Sequence, residues 1–526
     1  MMKKKGLEKN TLLPAALVIL TILALAVYTL FFLNHLMHSD MAAEVNLSHF
    51  LAQRGELISK EWFYSTEIRI LYSQLIMTPL FHIFSDYHTV KVISVFLFLA
   101  FLLLSYAHLA RRFSFSKQTV WLVLLFLMAP WSNEYLDMMF LGNFYTSQTI
   151  LMFVMLAFFM KEEKEGEENK SQKAKIASPA AFCILSLLMG LSGLRYLACL
   201  FGPLILAKLL WVYLKGKNPG FVKEILMTGF ALAGFLIHKL YLAKNFSFDA
   251  TSEVVFVPLS EVPERLLTAF RLMLELFGYR EGLPMMSPLG LVNVVKCAFF
   301  CCFVYMIVAA FKEREQLSEK ERLFLYYFLF LFLINLYMLV FTGVLLQYRY
   351  WIPVFIVGIF IVGMYLEKHV FAVSLQKPAL ILALSLAAAS SLYGELWQDV
   401  KFDDCAKREG YMAFLEKEGY TFGYATFWNG PVTEYLSNGR IRVGNLGADA
   451  KPYEWLTPKS YYQKGYHKGK TFLLLARTEE AGMLKGDFTV MEDGKRVYAD
   501  EYYAVYEGKG MYLFSDDTAN AAEDMP

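Results

Sequence analysis

The chain has 526 residues, 57% of them hydrophobic and only 19% charged, with a mean hydropathy of +0.40. Soluble domains run nearer ~25% charged and ~45–50% apolar, so most of this chain is suited to lipid and an ordinary soluble globule is excluded. Fifty basic and 48 acidic side chains nearly cancel, leaving no global field to draw nucleic acid or a strongly acidic partner.

In chain order, Met1-Met2-Lys3-Lys4-Lys5 precedes an apolar run over 12–36. That run is long enough to cross a ~30 Å hydrocarbon core, whereas a signal peptide has a shorter apolar core and a small-residue cleavage site. It reads as an uncleaved first helix. Further spans are predicted over 90–110, 119–134, 145–160, 180–194, 196–214, 224–243, 289–311, 323–346, 351–366 and 379–393, about eleven in all. The runs around Pro130 and Gly190 to Gly193 suit broken helices, which membranes accept only where protein or a watery cavity covers the backbone.

Lys and Arg content of the short loops sets the orientation. With the N-terminus inside, the cytoplasmic segments 1–10, 111–118, 161–178, 215–223, 312–322 and 367–377 hold 21 basic residues in 67 positions. The opposite segments 37–89, 135–144, 244–288 and 347–350 hold 8 in 112. An odd number of crossings then places the C-terminus outside. Residues 161–175 read as a mixed-charge cytoplasmic linker.

Composition shifts near residue 397. The expected organisation is a transmembrane domain over 1–397, with a first external loop at 37–89, and a small extracytoplasmic α/β domain over 398–526. In the latter a helix is predicted at 405–417 and strands at 421–428, 440–443 and 471–475. Segments 502–506 and 511–514 are predicted to form a closing hairpin around Gly508-Lys509-Gly510. Five cysteines (Cys183, Cys199, Cys297, Cys301, Cys302) fall in apolar stretches and only Cys405 in the polar tail, so no disulfide framework or zinc spacing emerges.

Ionisable groups at the ends of membrane helices carry the functional signal, because lipid tolerates them poorly. His38-Ser39-Asp40-Met41-Ala42-Ala43-Glu44 follows the first helix directly. Asp40 and Glu44 are four apart and share a helix face, where two carboxylates suit cation binding or general-base work. A solvated helix start, capped by Ser39 or Asp40, reads equally from the same residues. The rest of the loop predicts two amphipathic helices lying on the membrane, with Trp62, Phe63 and Tyr64 in its interfacial belt and Glu67 beside Arg69 either as an ion pair or facing a cavity. His82 and His88 read as polar caps.

Arg195 follows Gly190-Leu191-Ser192-Gly193-Leu194 at an outer helix break, and Arg349 lies in Gln347-Tyr348-Arg349-Tyr350-Trp351-Ile352-Pro353. Each suits a phosphate contact, and each also suits a structural role, as a carbonyl cap or an interfacial anchor. Residues 131–145 bring Asn133, Glu134, Asp137, Asn143 and Tyr145 without a basic residue, the composition of a sugar-binding loop or of a solvated turn. Segment 260–277 reads as an amphipathic surface helix. In the tail, Tyr424, Phe427, Trp428 and Asn429 suit sugar stacking or a buried strand end. A P-loop, GxGxxG, HExxH and GxSxG are all absent.

This layout resembles the GT-C superfamily of integral-membrane glycosyltransferases, near its protein mannosyltransferase and aminoarabinose transferase branch. The resemblance rests on the first helix, the acidic Ser39–Glu44 stretch just outside it, the long first loop, the many spans, and an Arg349-Tyr350 pair before Pro353. It implies an α-helical polytopic GT-C-like fold with transfer of a sugar from a polyprenyl-phosphate donor to a glycan, lipid or protein acceptor on the outer face of the plasma membrane. Asp40 takes the catalytic position, with Glu44 and Glu67 as further candidates. Arg349, Arg195 and Tyr348 fall to the donor phosphate, and Asn143, Tyr145 and Tyr64 to the acceptor or sugar. No residue set is assigned to a metal, although a divalent Mg or Mn is compatible with the family. Where the mannosyltransferase branch has adjacent Asp-Glu, Met41 follows Asp40 here. The rival expectation is a transporter or lipid flippase, whose mid-membrane charges would be Lys208, His238, Lys239 and Lys296.

Overall fold

The computed structural model describes residues 2–161, 172–215, 221–248, 255–369, 385–386, 388–401, 403–463, 465–483 and 494–508. Most of the expected linker at 161–175, the start of the last expected span at 379–393, and the hairpin arm at 511–514 lie outside them. Among the described residues seven helices are long and apolar enough to cross a membrane: Thr11–Phe31, Tyr87–Ala110, Leu197–Lys215, Val222–Asn245, Pro288–Lys312, Glu319–Phe341 and Tyr348–His369. Asn133–Leu141 and Thr146–Phe159, bent by 71° at their break, add an eighth if taken as one span. The chain is a multi-pass, mainly helical membrane protein.

Local chemistry explains several helix ends. Ser318 and Glu321 form a reciprocal capping box at the start of the Glu319–Phe341 helix. Ser287 caps the next helix upstream, whose first residue is Pro288. The expected span at 119–134 is instead a helix over Lys117–Met128, because Ala129 precedes Pro130 and turns extended (ψ 130°). Segment 262–276 forms the expected helix, and Arg265 on it donates to the carbonyls of Leu339, Thr342 and Val344.

The chain divides into two compact units. The first comprises Met1–Leu30, Val95–His238 and Ser252–Gln398, and the second Phe31–Ser94, Lys239–Thr251 and Asp399–Pro526. The first external loop thus groups with the C-terminal segment. In the first unit the Gln172–Leu191 and Val222–Ile237 helices approach closely at small residues. A Cβ on Gly190 would fall 1.9 Å from the Ala231 carbonyl oxygen.

The second unit holds two sheets. Strands β1 (Trp62–Tyr64), β2 (Ser247–Phe248) and β5 (Thr457–Pro458) form one, with β1 parallel to β2 and antiparallel to β5. The other has the order β4-β3-β6-β8-β7, from β3 (Phe422–Thr426), β4 (Arg442–Leu446), β6 (Thr471–Ala476), β7 (Lys495–Ala499) and β8 (Tyr503–Gly508). Its first three strands are parallel and the last two antiparallel. Phe472, Leu474 and Val505 pack on one face with Tyr411 and Leu415 of the Glu409–Lys417 helix, while Leu473, Leu475 and Ala504 pack on the other with Tyr461 and Met483. Among the described residues β8 pairs with β6 and β7.

Two readings of the first loop are corrected. The Ser39–Arg54 helix is no surface-lying amphipath, since Ser39, every residue from Met41 to Ser48, and Leu51 are buried. It packs against the Gly430–Leu436 helix, and Asn46 donates to the Pro431 carbonyl at 3.1 Å. Trp62 and Tyr64 are likewise 1% and 3% exposed, holding β1 inside its sheet where an interfacial belt was expected. Asn438, in a left-handed turn before Gly439, accepts from the Tyr87 backbone N–H at 2.8 Å and so caps the Tyr87–Ala110 helix.

Candidate functional site

In the second unit, helix Ser39–Arg54 begins at Ser39 with His38 as its N-cap, where Ser39 or Asp40 was expected to cap it. Asp40 falls in the first turn, where the helix macrodipole favours an anion. One turn on, Glu44 is 7% exposed and accepts from the Ser73 hydroxyl at 3.1 Å. Burial pushes its carboxyl above the usual range. The positive charges of Arg69 and Lys91 and the Ser73 hydrogen bond pull it back, and Asp40 pushes it up further.

Arg69 is itself held by Glu67 (3.1 Å) and lies over the Tyr72 ring at 4.8 Å, so Glu67 is the counter-ion of a site cation. The Gln74 amide fixes the Arg69 carbonyl at 2.5 Å. The Tyr64 hydroxyl accepts from the Ser59 N–H (2.8 Å), and burial raises it to about 12, with Glu44 adding to the rise. The candidates Asp40, Glu44, Tyr64 and Glu67 therefore gather in one cluster around Arg69 and Lys91. Sequence reasoning missed Ser73 and Lys91, although a lysine one turn into an apolar helix was a readable signal.

The remaining candidates gather in the first unit. Arg349, on the Tyr348–Trp351 turn, faces Glu134 at 3.5 Å. The Arg195 guanidinium lies over the Tyr145 ring at 5.3 Å, and the Arg349 charge also reaches the Tyr145 hydroxyl. Asn143 takes a left-handed backbone (φ 65°) at the break between Asn133–Leu141 and Thr146–Phe159, buried with its amide nitrogen unpartnered. The arginines expected to meet a phosphate thus share a site with the loop expected to meet the acceptor.

Beside Tyr348 lies an ionic network missed in the sequence. Glu395, fully buried, bonds Lys296 and Arg280 (2.5 Å), and Lys296 and Arg280 also donate to the Trp131 carbonyl (2.9 Å) and the Asn133 side chain (3.1 Å). An acid closing the last apolar run was its available signal. Lys208 is similarly paired, with Glu224 at 2.5 Å, and His238 bonds the Leu191 carbonyl. These buried charges are thus paired within the bundle.

An apolar cavity of about 410 Å³ opens among Phe277, Phe300, Phe303, Phe332 and Phe355, with Trp351 in its wall two residues after Arg349. For a Mg or Mn ion the donor set is poor. Asp40 stands beside a Glu44 already balanced by Arg69, Lys91 and Ser73, and among the described residues no three His, Cys, Asp or Glu converge.

No family model matches the sequence, and no curated protein does. Solved structures do. The chain superposes on ArnT from Cupriavidus metallidurans bound to undecaprenyl phosphate with a TM-score of 0.58 at 10% identity, covering 95% of this chain and 99% of that one. The apo structure of ArnT from the same organism matches at a TM-score of 0.44 and 13% identity, over 95% and 99% of the two chains. The chain thus shares the fold of ArnT over nearly its whole length.

Proposed function

We propose that this chain is a membrane glycosyltransferase that moves a sugar from a polyprenyl-phosphate donor to an acceptor on the extracytoplasmic face of the plasma membrane. The observation that carries the reading is the near full-length likeness to ArnT, a structure solved with undecaprenyl phosphate bound. Chemistry on this chain supports it independently. Arg349 and Arg195 supply planar guanidinium donors suited to a phosphate, and the apolar cavity beside Trp351 suits an isoprenoid tail.

In this reading Asp40 accepts the proton of the acceptor hydroxyl as its oxygen attacks the sugar carbon from which the phosphate departs. Glu44 holds the neighbouring charge, with Arg69 and Lys91 as its counter-ions. Arg349, aided by Arg195 and Tyr348, stabilises the charge left on the leaving phosphate. Asn143 and Tyr145 line the sugar, and Tyr64 braces the carboxylate cluster. No step needs a metal.

The test is sugar transfer by purified protein in lipid, offered a panel of radiolabelled polyprenyl-phosphate sugars, with Arg349→Ala compared to wild type. A transition-state donor of this kind is worth on the order of 10²–10³ in kcat. Turnover of a donor by wild type and a loss of that order in the variant are expected. Turnover unchanged by Arg349→Ala would remove the arginine from the reaction, and no turnover of any donor would remove the reaction itself.

A further inference from the structure

The C-terminal part of the second unit carries a cleft that the transferase reading leaves unused. In the five-stranded sheet, β3 lies between β4 and β6, so the chain leaves β3 for one neighbour and later returns to the other. Ligands of open α/β sheets bind in the crevice outside the carboxyl ends of the strands at such a reversal. Here that crevice is a cleft of about 400 Å³, reached by Thr426 at the end of β3, Leu446 at the end of β4 and Glu479 just after β6. The volume lies within the ~300–1,000 Å³ of small-ligand sites.

Its wall is aromatic and its floor polar. Trp428 is 64% exposed and Tyr453 39% exposed, with Phe427 between them at ring centroid distances of 5.4 and 5.8 Å. The Glu479 carboxylate accepts from the Thr426 hydroxyl (3.1 Å), the Asn429 amide (3.3 Å) and the Ala476 N–H (3.2 Å). Asn429 is itself oriented by buried Arg408 at 3.0 Å, and Arg408 by Asp404 at 3.0 Å. Among the described residues Glu479 is the one charged side chain lining the cleft, so an anionic ligand is disfavoured. A large, open tryptophan beside prearranged acceptors matches a ring with one apolar C–H face and a rim of hydroxyls.

We propose that this cleft is a saccharide-binding subsite. A neutral or amino-bearing pyranose stacks on Trp428 and hydrogen-bonds Glu479 at the strand ends. The proposal stands apart from the transferase chemistry, because none of its residues belongs to the Asp40 or Arg349 clusters.

The test is calorimetric titration of the full chain in nanodiscs with glucose, N-acetylglucosamine, glucosamine and glucuronic acid. Wild type is compared with Trp428→Ala, Glu479→Gln and Asp40→Asn. Binding of a neutral or amino sugar, weakened at least tenfold by Trp428→Ala and by Glu479→Gln and unchanged by Asp40→Asn, is the expected result. The proposal is overturned if none of the sugars binds, if glucuronic acid binds best, or if Trp428→Ala binds as wild type does. Loss of binding in Asp40→Asn would move the sugar to the transferase site and also overturn it. Brominated-lipid quenching of tryptophan emission that is present in wild type and lost in Trp428→Ala would make the residue a membrane anchor, with the same consequence.

Discussion

Replacing Glu434 by glutamine should remove most of the pH dependence of the C-terminal sheet. Glu434 is 8% exposed on the Gly430–Leu436 helix, accepting from the Val443 N–H (3.2 Å) and the Tyr461 hydroxyl (3.1 Å). Burial lifts its carboxyl from about 4.5 to about 7, against the pull of those bonds and of Arg442. A folded-state pKa above the unfolded one means stability that is intact below about pH 4.5 and lost as pH rises through about 7. The full effect is about 3 kcal/mol, most of which falls between pH 5 and pH 8. Segment-resolved hydrogen exchange of β4, normalised for intrinsic rates, reads this directly. Wild type should lose about that much opening free energy over this range, and Glu434→Gln should lose far less. Equal losses in both proteins, or none in wild type, would refute the reasoning. The same helix bears on Ser39–Arg54 through Pro431 and Asn46, so its loosening at high pH reaches the helix of Asp40 and Glu44.

Glu395→Ala leaves Lys296 buried without its counter-charge and should cost about 3–5 kcal/mol, whereas Glu395→Leu with Lys296→Met should recover most of that. Thermal melts of wild type, Glu395→Leu, Lys296→Met and the double variant measure the coupling, and strictly additive losses would show that the pair is not coupled. Because arginines meet the phosphate in the proposed reaction, EDTA should leave transfer unchanged. Loss on chelation, restored by Mg or Mn, would show that a metal shares that work.

Much of the fold was legible because lipid imposes length and apolarity on every span. Helices such as Pro288–Lys312 and Glu319–Phe341 fall within a few residues of their predicted limits, with Ser287 and Ser318 marking their starts. The first loop was misread because its burial is tertiary. Met41–Ser48 lacks a wide apolar stripe, and only packing on the Gly430–Leu436 helix, some 385 residues away in sequence, makes it core. Asp40, Glu44, Arg195 and Arg349 stood out as charges at apolar borders. Their partners Ser73 and Lys91 come from other elements, and no local spacing records such pairings.

The most direct test of the transferase reading is single-turnover sugar transfer by Asp40→Asn, measured beside wild type on whichever polyprenyl-phosphate sugar wild type turns over. The variant should keep its fold and its affinity for the carrier while transfer falls about 10²–10⁴-fold, the usual contribution of a general base. Transfer at the wild-type rate would contradict the role of Asp40 and pass the search for the base to Glu44 and Glu67.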